Sequence, residues 1–386
     1  MNSLARLRKF LIPEIVFGDS ACVLAGRSAK QRALKKVLVV SDPGVCAAGW
    51  TNAVIENLHQ AGVETALFTA ITPNPKDHEV MAGVRQYHNQ DCNGIVAVGG
   101  GSPMDCAKGI GIVCSNGGSI LDYEGVDQIP LPIPPLICIP TTAGTAADIS
   151  QFAIITNSTD LRKIAIVSKS VVPDLALIDP KTTTSMDAAL TACTGLDALV
   201  HAVEAYVSTA HSPFSDLNAL HAIRLVAEHL LAVLQTPASS EARSGMMLAS
   251  TEAGMAFSNA SLGAVHAMAH SLGGLLDCAH GECNALLLEH VVRFNFAAAP
   301  QRYRSIAGAL GIDTEGLDDD HAQSRLADGI REFRIMAGVT GTLAEHGVTS
   351  SHIPRLAMFA MQDACMVTNP RRPTIHDVEE LYAAAL

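Results

Sequence analysis

The segment GIVAVGGGSPMDCAK, residues 94–108, joins an apolar run to a glycine turn and then to a helical pattern. The apolar run predicts a buried strand over 94–100, and the pattern that follows predicts a helix over 103–114. Three consecutive glycines let the backbone approach a ligand closely, because no Cβ intervenes. The N–H groups that open a helix attract an anion, and Pro103 fits a first turn where its missing N–H costs nothing. The segment therefore predicts a strand–turn–helix unit that can bind a phosphate, with a purely structural turn as the alternative.

Strand and helix patterns alternate on both sides of this segment. Buried strands are predicted at KKVLVVSD (35–42), VETALFTAI (63–71) and PLICIPTT (135–142). Helices are predicted between them, over 47–61 and 78–90. This order predicts a parallel sheet with helices on both faces. Right-handed crossovers then make it a doubly wound, Rossmann-like layer.

The pattern changes in the second half of the chain. QFAIIT, KIAIVS and DLALIDP, between 150 and 180, indicate added strands at the end of the first domain. The rest of the chain shows long helical patterns, for example over 187–208, 214–234 and 241–257. No segment there has a convincing strand pattern. We therefore predict an α/β dinucleotide-binding domain over residues 1–183 and an all-α, metal-binding domain over residues 184–386.

Composition restricts the class of protein. A chain of 386 residues is long enough for two domains, each with its own core. The formal net charge of −12 argues against a nucleic-acid partner. We expect no membrane partner, because no apolar run reaches the ~18–20 residues of a span and the N-terminus lacks the apolar core of a signal peptide. The ten scattered cysteines are expected to be reduced thiols, as in a cytoplasmic protein.

Polar residues follow two of the predicted strands. Asp42 ends the first of them, where an acidic side chain can bind a ribose 2′-hydroxyl and repel a 2′-phosphate, which favours NAD over NADP. An ordinary Asp before a proline turn is the alternative. The turn PTTAGTAAD (140–148) places Thr141, Thr142 and Thr145 at the carboxyl end of another strand, where ligands of open α/β sheets bind. Lys163 either reaches the nucleotide or is a surface lysine.

Acidic and histidine residues recur at helical spacing in the second half. Asp197 and His201 are separated by four residues, as are His266 and His270, so each pair shares one helix face. His280 follows ten residues later. The surrounding segments are apolar, so these polar groups are expected to face inward and to need partners. A divalent first-row cation satisfies them together, and individually hydrogen-bonded core histidines are the alternative.

A second kind of metal site is conceivable around His280. Cys278 and Cys283 flank this histidine, and Cys/His sets bind structural zinc. Such sites use a tighter pair of cysteines, and the C-x4-C spacing here lacks a second pair. This interpretation is therefore the weaker one.

Six segments together resemble one family of enzymes. They are GGGSPMDCAK, PTTAGT, TGLDALVHAVEAY, GMAFSNASLGAVHAMAHSLGG, HGECNALLLEHV and TNPR (368–371). The chain resembles the iron-containing (group III) alcohol dehydrogenases over roughly residues 10–386, among them alcohol, lactaldehyde and 1,3-propanediol dehydrogenases. The order of the two histidine motifs is specific to this family.

The resemblance implies an NAD-dependent oxidoreductase that transfers a hydride between NAD(H) and a small primary alcohol or aldehyde. It implies an N-terminal nucleotide domain, a C-terminal helical domain and a site in the cleft between them. It also implies a divalent metal ion bound by Asp197, His201, His266 and His280. The family favours Fe²⁺ as this ion, with Zn²⁺ as the alternative. The metal would polarise the substrate oxygen as a Lewis acid.

The resemblance further assigns roles to individual positions. His270 would lie near the metal and the nicotinamide as a catalytic residue that does not bind the metal. Phe152 and Phe257 would line the substrate pocket. The cofactor-binding set would be Asp42, Asn74, Gly99, Gly100, Gly101, Ser102, Asp105, Thr141, Thr142, Thr145 and Lys163. One departure is Asp148, where relatives often carry Glu, and the shorter side chain leaves its role open.

Two rival functions and the assembly state complete these expectations. A sugar-phosphate lyase of the dehydroquinate-synthase type shares this architecture but needs clustered Lys and Arg for its substrate phosphate, which the motifs here lack. A non-enzymatic metal- and nucleotide-binding protein is the other rival. The segment FLIPEIVFG (10–18) can supply an edge strand, so we expect a homodimer or a higher homo-oligomer.

Overall fold

The computed structural model describes residues 7–386, which form two compact units. One unit is Ile12–Met186, and the other joins the described residues up to Leu11 to Asp187–Leu386. The domain boundary predicted from the sequence lies at 183/184, with the N-terminal residues in the first domain. Leu11 groups with the helical unit, where its backbone N–H and C=O bond the Asn259 side chain at 2.6 and 3.0 Å.

The first unit contains the strands β1 (Glu14–Phe17), β2 (Lys36–Val40), β3 (Glu64–Phe68), β4 (Gly94–Gly99), β5 (Gly125–Val126), β6 (Leu136–Pro140), β7 (Phe152–Asn157), β8 (Arg162–Val167) and β9 (Leu175–Ile178). A six-stranded parallel sheet, in the order β1-β9-β6-β4-β2-β3, forms the centre of this unit. A smaller sheet has the order β5-β8-β7.

Helices cover both faces of the large sheet. They are α1 (Ala25–Gln31), α2 (Pro43–Ala47), α3 (Trp50–Gln60), α4 (Asp77–Asn89) and α5 (Gly101–Asn116). Val37 and Val39 of β2 pack with residues of α1 and α3 in one core. Leu38 and Val40 face the opposite way and pack with residues of α4 and α5 in a second core. Successive strand residues point to opposite faces, so this division confirms the predicted doubly wound layer.

One local prediction needs correction. The helix expected over 47–61 begins at Trp50, because Gly49 adopts a left-handed conformation (φ 88°) that separates it from the short α2. The three strands expected between 150 and 180 are present, and they divide between the two sheets. β9 pairs in parallel with β1 and β6, whereas β7 and β8 pair antiparallel in the small sheet.

The strand order reverses at β2. The chain places β3 on one side of β2 and then adds β4, β6 and β9 on the other side. Ligands of doubly wound sheets bind outside the carboxyl ends of the strands at such a reversal. Asp42 follows β2 and Gly99–Gly101 follow β4, so the topology brings these two predicted cofactor-binding segments to the same edge of the sheet.

The second unit is helical, and the described residues after Ile178 contain no strand. Its helices are α6 (Ala188–Val207), α7 (Pro213–Gln235), α8 (Ser240–Ala260), α9 (Ala264–Leu276), α10 (His280–Asn295), α11 (Pro300–Ala309), α12 (Asp319–Met336), α13 (Ile353–Gln362) and α14 (Ile375–Ala385). The three helices predicted from the sequence are confirmed as α6, α7 and α8. Each begins after an Asp or Ser whose side chain accepts a backbone N–H of the first turn.

One described helix, α7, is long and apolar enough to cross a membrane by length and composition alone. Its buried residues recur at intervals of three or four, for example Ala219, Ala222, Ile223, Val226 and Leu230. It packs against α6 and α8. This one-sided burial is the pattern of an amphipathic helix in a bundle.

Candidate metal centre and nucleotide site

Three helices place the predicted metal ligands. Asp197 and His201 lie one turn apart on α6, and His266 and His270 lie one turn apart on α9. His280 is the first residue of α10. Asp197, His201, His266 and His270 are buried, and His280 is partly buried. The structure therefore gathers residues from positions 197 to 280 around one point of the helical unit.

Asp197 lies at the centre of this group and is 1% exposed. Its Oδ1 is 3.7 Å from His266 Nε2 and 3.8 Å from His280 Nε2. Its Oδ2 is 3.8 Å from His201 Nδ1. Ligand atoms about 2.0–2.2 Å from a tetrahedral ion lie roughly 3.3–3.6 Å apart. Asp197, His201 and His266 are therefore close enough to one another to hold one cation, and His280 lies at a similar distance from Asp197.

Asn284 occupies the space between these ligands. Its Nδ2 donates to Asp197 Oδ1 at 2.7 Å and lies 3.2 Å from Nε2 of both His266 and His280. Its Oδ1 has no hydrogen-bond partner among the described residues. Three acceptor atoms thus converge on a group that carries a positive partial charge. One carboxylate and three imidazoles in this arrangement fit a divalent first-row ion.

Electrostatics favour positive charge at the same point. Burial alone would raise the pKa of Asp197, but the surrounding imidazoles hold it well below its usual range. Burial alone would lower the pKa of His266, but the carboxylates of Asp197 and Glu204 outweigh burial and raise the pKa to about 9. The net preference for a proton at His266 marks a pocket in which a cation is stabilised.

His270 lies beside the cluster and has a carboxylate partner of its own. Its Nδ1 is 2.8 Å from Asp363 Oδ2, and its ring stacks on that of His280 with a centroid distance of 5.3 Å. Burial alone would raise the pKa of Asp363, but His270 and the Cys365 backbone N–H lower it. The ionised Asp363 therefore holds His270 with Nδ1 as the donor, which leaves Nε2 as the atom able to accept a proton.

The two predicted pocket phenylalanines lie in different units. Phe257 of α8 is buried and stacks on His201 with a centroid distance of 4.3 Å and an interplanar angle of 17°. Phe152 is the first residue of β7 and is also buried. The structure thus brings Phe257 next to the proposed metal ligand His201 within the helical unit. The pocket role of both phenylalanines stays a prediction.

The rival zinc interpretation around Cys278 and Cys283 gains no support. Among residues 7–386, the two groups that could hold a metal are Asp197 with His201 and His266, and His270 with Asp363 and Cys365. Neither includes Cys278 or Cys283.

Three polar residues of this centre were missed by the sequence analysis. Glu204 follows His201 by three residues and therefore lies on the ligand-bearing face of α6. Asn284 follows His280 by four residues and lies on the same face of α10. Helical spacing could have identified both. Asp363 gave no such signal, because 93 residues separate it from His270.

The glycine turn packs tightly at the carboxyl end of β4. A Cβ on Gly100 would come within 3.1 Å of Thr142, and one on Gly101 within 3.1 Å of Thr145. A Cβ on Gly99 would come within 2.7 Å of Pro103 and 3.4 Å of Asp42 Oδ2. A side chain at position 99 would collide with Pro103 of α5, and side chains at positions 100 and 101 would require the Thr142 and Thr145 side chains to shift.

Residues from two other loops and from the first turn of α5 surround this turn. Asp42 caps α2 by accepting the Val45 N–H at 3.0 Å. The Thr141 backbone N–H donates to the Gly99 carbonyl at 2.9 Å. Ser102 lies in the first turn of α5, which Gly101 opens. The structure therefore brings together Asp42, the glycines, Ser102 and the three threonines, and leaves their contacts with a nucleotide as predictions.

Asp105 and Lys108 of α5 bind the edge of β7. Lys108 is fully buried, and its Nζ donates to the Ser150 and Phe152 carbonyls at 2.8 and 2.7 Å. Asp105 accepts the Ile154 backbone N–H; burial raises its pKa to about 6, against the effect of Lys108. The structure gives Asp105 this role in holding β7, and a cofactor contact for Asp105 stays a prediction.

The remaining predicted cofactor residues lie around the small sheet. Lys163 of β8 is paired with Thr156 of β7. The Asn74 carbonyl accepts the Thr156 hydroxyl at 3.4 Å, and Asn74 has a left-handed backbone (φ 56°). Asp148 is buried near Lys108, and burial raises its pKa to about 6. The shorter carboxylate at 148 thus interacts electrostatically with the lysine of α5.

Comparison with known proteins covers almost the whole chain. Residues 13–180 match the family described as iron-containing alcohol dehydrogenase, and residues 191–386 match the C-terminal part of the Fe-containing alcohol dehydrogenase family. The 1,3-propanediol dehydrogenase of Citrobacter freundii is 38% identical over 98% of this chain and 99% of its own length. The NAD-dependent methanol dehydrogenase of Bacillus methanolicus is 36% identical over 98% and 99%.

A solved structure gives the same result. The crystal structure of a 1,3-propanediol oxidoreductase matches with a TM-score of 0.95 and 38% identity, over 99% of this chain and 100% of its own. Sequence and fold therefore agree over both units, and the chain belongs to the iron-containing alcohol dehydrogenase family of oxidoreductases.

Proposed function

We propose that this protein is an NAD-linked alcohol dehydrogenase that interconverts a small primary alcohol and its aldehyde. The observation that carries the proposal is the convergence of His201, His266 and His280 on the buried Asp197 carboxylate. Family membership supports it, since similar proteins are a 1,3-propanediol dehydrogenase and an NAD-dependent methanol dehydrogenase. Both proteins are named for short alcohols, which is why we expect a small alcohol as the substrate here.

Asp197, His201, His266 and His280 would hold a divalent cation, with Fe²⁺ as our first choice and Zn²⁺ as the alternative. An Asp/His set accepts either ion, and the family description favours iron. When bound, the cation supplies Lewis-acid polarisation of the substrate oxygen, and the nicotinamide accepts or donates the hydride.

His270 is our choice for the residue that moves the alcohol proton. Asp363 holds the proton of His270 on Nδ1, so Nε2 is free to accept one from the substrate or from a water between them. The ring is buried and stacked on His280, which limits its rotation. Phe257 covers the neighbouring His201 ring and excludes water from that side of the centre.

The nucleotide would bind at the reversal of strand order. The turn formed by Gly99, Gly100, Gly101 and Ser102 would bind the pyrophosphate at the start of α5. Asp42 would bind the adenosine ribose and select NAD over NADP. Asn74, Thr141, Thr142, Thr145 and Lys163 would complete the site, and Asp105 would support it through β7.

We also propose a cytoplasmic homodimer. All ten cysteines are free thiols, which fits a reducing compartment. β1 lies at an edge of the large sheet, so its outer side offers backbone groups to a second copy. Light scattering on the purified protein tests the dimer, and a monomer at micromolar concentration would contradict it.

The central experiment is anaerobic metal analysis combined with NADH kinetics over a panel of C2–C5 alcohols and aldehydes. We expect bound metal in proportion to protein and turnover that requires it. His266→Ala and His280→Ala should lose metal and turnover while keeping the circular dichroism of the parent. His221→Ala, an exposed histidine of α7, is the matched control. Full activity in metal-free protein would refute the proposal.

A further inference from the structure

Glu204 is a buried carboxylate next to the proposed metal ligands, but it is not one of the expected ligands itself. It lies on α6 one turn after His201 and is 4% exposed. Carboxylates are almost never fully buried unless they are paired. Its partners therefore explain its position.

Those partners are all at the start of α9. Oε1 accepts the Val265 N–H at 2.7 Å, and Oε2 accepts the N–H groups of Gly263 at 3.0 Å and His266 at 3.4 Å. Oε2 is also 2.7 Å from Nδ1 of the His266 ring. Glu204 thus binds His266 through both its backbone and its imidazole.

The local sequence is adapted to this approach. A Cβ on Gly263 would come within 2.9 Å of Glu204 Oε1 and 2.8 Å of Asn369 Oδ1. Asn369, from the TNPR segment, accepts the Ala264 N–H at 3.1 Å. Glu204 and Asn369 together satisfy the N–H groups of four consecutive residues, 263–266, that open α9.

The ring bond decides which nitrogen of His266 faces Asp197. A carboxylate acceptor at Nδ1 keeps a proton there, so Nε2, 3.7 Å from Asp197 Oδ1, is the nitrogen that carries the lone pair when the ring is neutral. Carboxylates that bind the far nitrogen of a metal-binding histidine fix its tautomer and increase its basicity as a ligand.

We propose that Glu204 is a positioning residue that orients His266 and presents its Nε2 to the cation. The inference rests on the proposed function, because it concerns the same metal ligands. Glu204 acts through His266 and does not itself bind the ion or the substrate.

The test compares metal affinity among matched variants of the full-length protein. Glu204→Gln keeps the side-chain volume but presents an amide donor where Gly263 and His266 also donate. We expect the Kd for Co²⁺, titrated into the metal-free protein, to rise about 10–100-fold. NADH binding, followed by fluorescence, should stay unchanged. Glu228→Gln removes the same charge from a side chain that is 71% exposed and should leave both values unchanged.

A second comparison separates positioning from helix capping. Asn369→Ala removes a cap from the same helix and should lower the melting temperature while changing the Co²⁺ Kd less than Glu204→Gln does. Equal Kd values for the parent and Glu204→Gln would overturn the inference. A parent protein that binds no cation would overturn the proposed function instead.

A measurement on the unmodified protein covers the case in which Glu204→Gln does not fold. Histidine ¹⁵N chemical shifts of the Zn²⁺-loaded protein distinguish the two ring nitrogens. We expect His266 to carry its proton on Nδ1 and to bind zinc through Nε2. Binding through Nδ1 would overturn the inference.

Discussion

At the scale of single residues, Asp42 has a structural role and a proposed binding role. Its carboxylate caps α2 through Val45 and lies next to Gly99. We predict that Asp42→Gly raises the ratio of kcat/KM for NADP to that for NAD by on the order of tenfold, because the repulsion of a 2′-phosphate is removed. Glycine is chosen because it replaces an N-cap residue at a cost of only a few tenths of a kcal/mol.

Steady-state kinetics with both cofactors measure this ratio. Asp42→Asn is the companion variant, since it keeps an acceptor for the cap and removes only the charge. The metal content of both variants should equal that of the parent. An unchanged cofactor ratio in both would show that Asp42 does not face the ribose.

Asp148 gives a prediction on pH dependence. Burial raises its pKa to about 6, above the ordinary value of 3.8. The folded protein therefore binds a proton more tightly than the unfolded chain, so its stability falls as pH rises from 3.8 to about 6 and is constant above that. Asp148→Asn removes this titration and should gain stability relative to the parent by about 1.4 kcal/mol between pH 5 and pH 8, because about one pKa unit of that window lies above pH 5.

Thermal melts of parent and variant between pH 5 and pH 8 measure the difference. Asp313→Asn, at an exposed position of the helical unit, is the control for a change of one charge. Parallel pH profiles for the parent and Asp148→Asn would contradict the prediction.

At the scale of elements, α5 stabilises the open edge of β7. β7 pairs with β8 on one side, and the other side is met by Lys108 and Asp105, which bond residues 150, 152 and 154. Alternate residues of a strand point their backbone groups to the same side, so two side chains one turn apart on a helix can replace a neighbouring strand. The helix that begins at the glycine turn is thereby linked to the sheet that carries Lys163.

We predict that Lys108→Met lowers the free energy of unfolding by at least about 2 kcal/mol, because two buried carbonyls lose a charged donor. It should also raise the KM for NAD more than it lowers kcat. Lys169→Met, at an exposed lysine in the same unit, should change neither value. A Lys108→Met variant that melts with the parent would contradict this account of β7.

At the scale of the whole molecule, cation binding is expected to stabilise the helical unit. The proposed ligands come from α6, α9 and α10, so an ion joins three helices that are distant in sequence. A ligand that binds only the folded state at a hundred times its Kd adds about 2.7 kcal/mol. We predict that chelation lowers the melting temperature of the parent and that added Zn²⁺ or Fe²⁺ restores it.

Differential scanning calorimetry, under nitrogen for Fe²⁺, measures the shift. His266→Ala should melt at one temperature with and without metal, because a ligand is missing. A shift of the same size in that variant would place the stabilising ion elsewhere.

The sequence by itself determined the classes of structure and the chemistry of the ligands. The apolar run before Gly99 predicted a buried strand, and the alternation around it predicted a doubly wound sheet, because burial on both faces requires continuous apolar strands. The four-residue spacing in Asp197/His201 and His266/His270 placed each pair on one helix face. The sheet prediction and the helix-face prediction both rest on the local spacing of residues, which can be observed in a single sequence.

Only the tertiary structure decided which groups meet across long loops. Sequence spacing could not show that Glu204 holds His266, that Asp363 holds His270, or that β9 lies between β1 and β6. Hydrogen bonds between residues 62 and 93 positions apart depend on how the helices pack. Packing between distant elements produces no periodic pattern in the sequence that could reveal it. The proposed metal ligands could therefore be named from the sequence, whereas the carboxylates that contact His266 and His270 could be identified only from the fold.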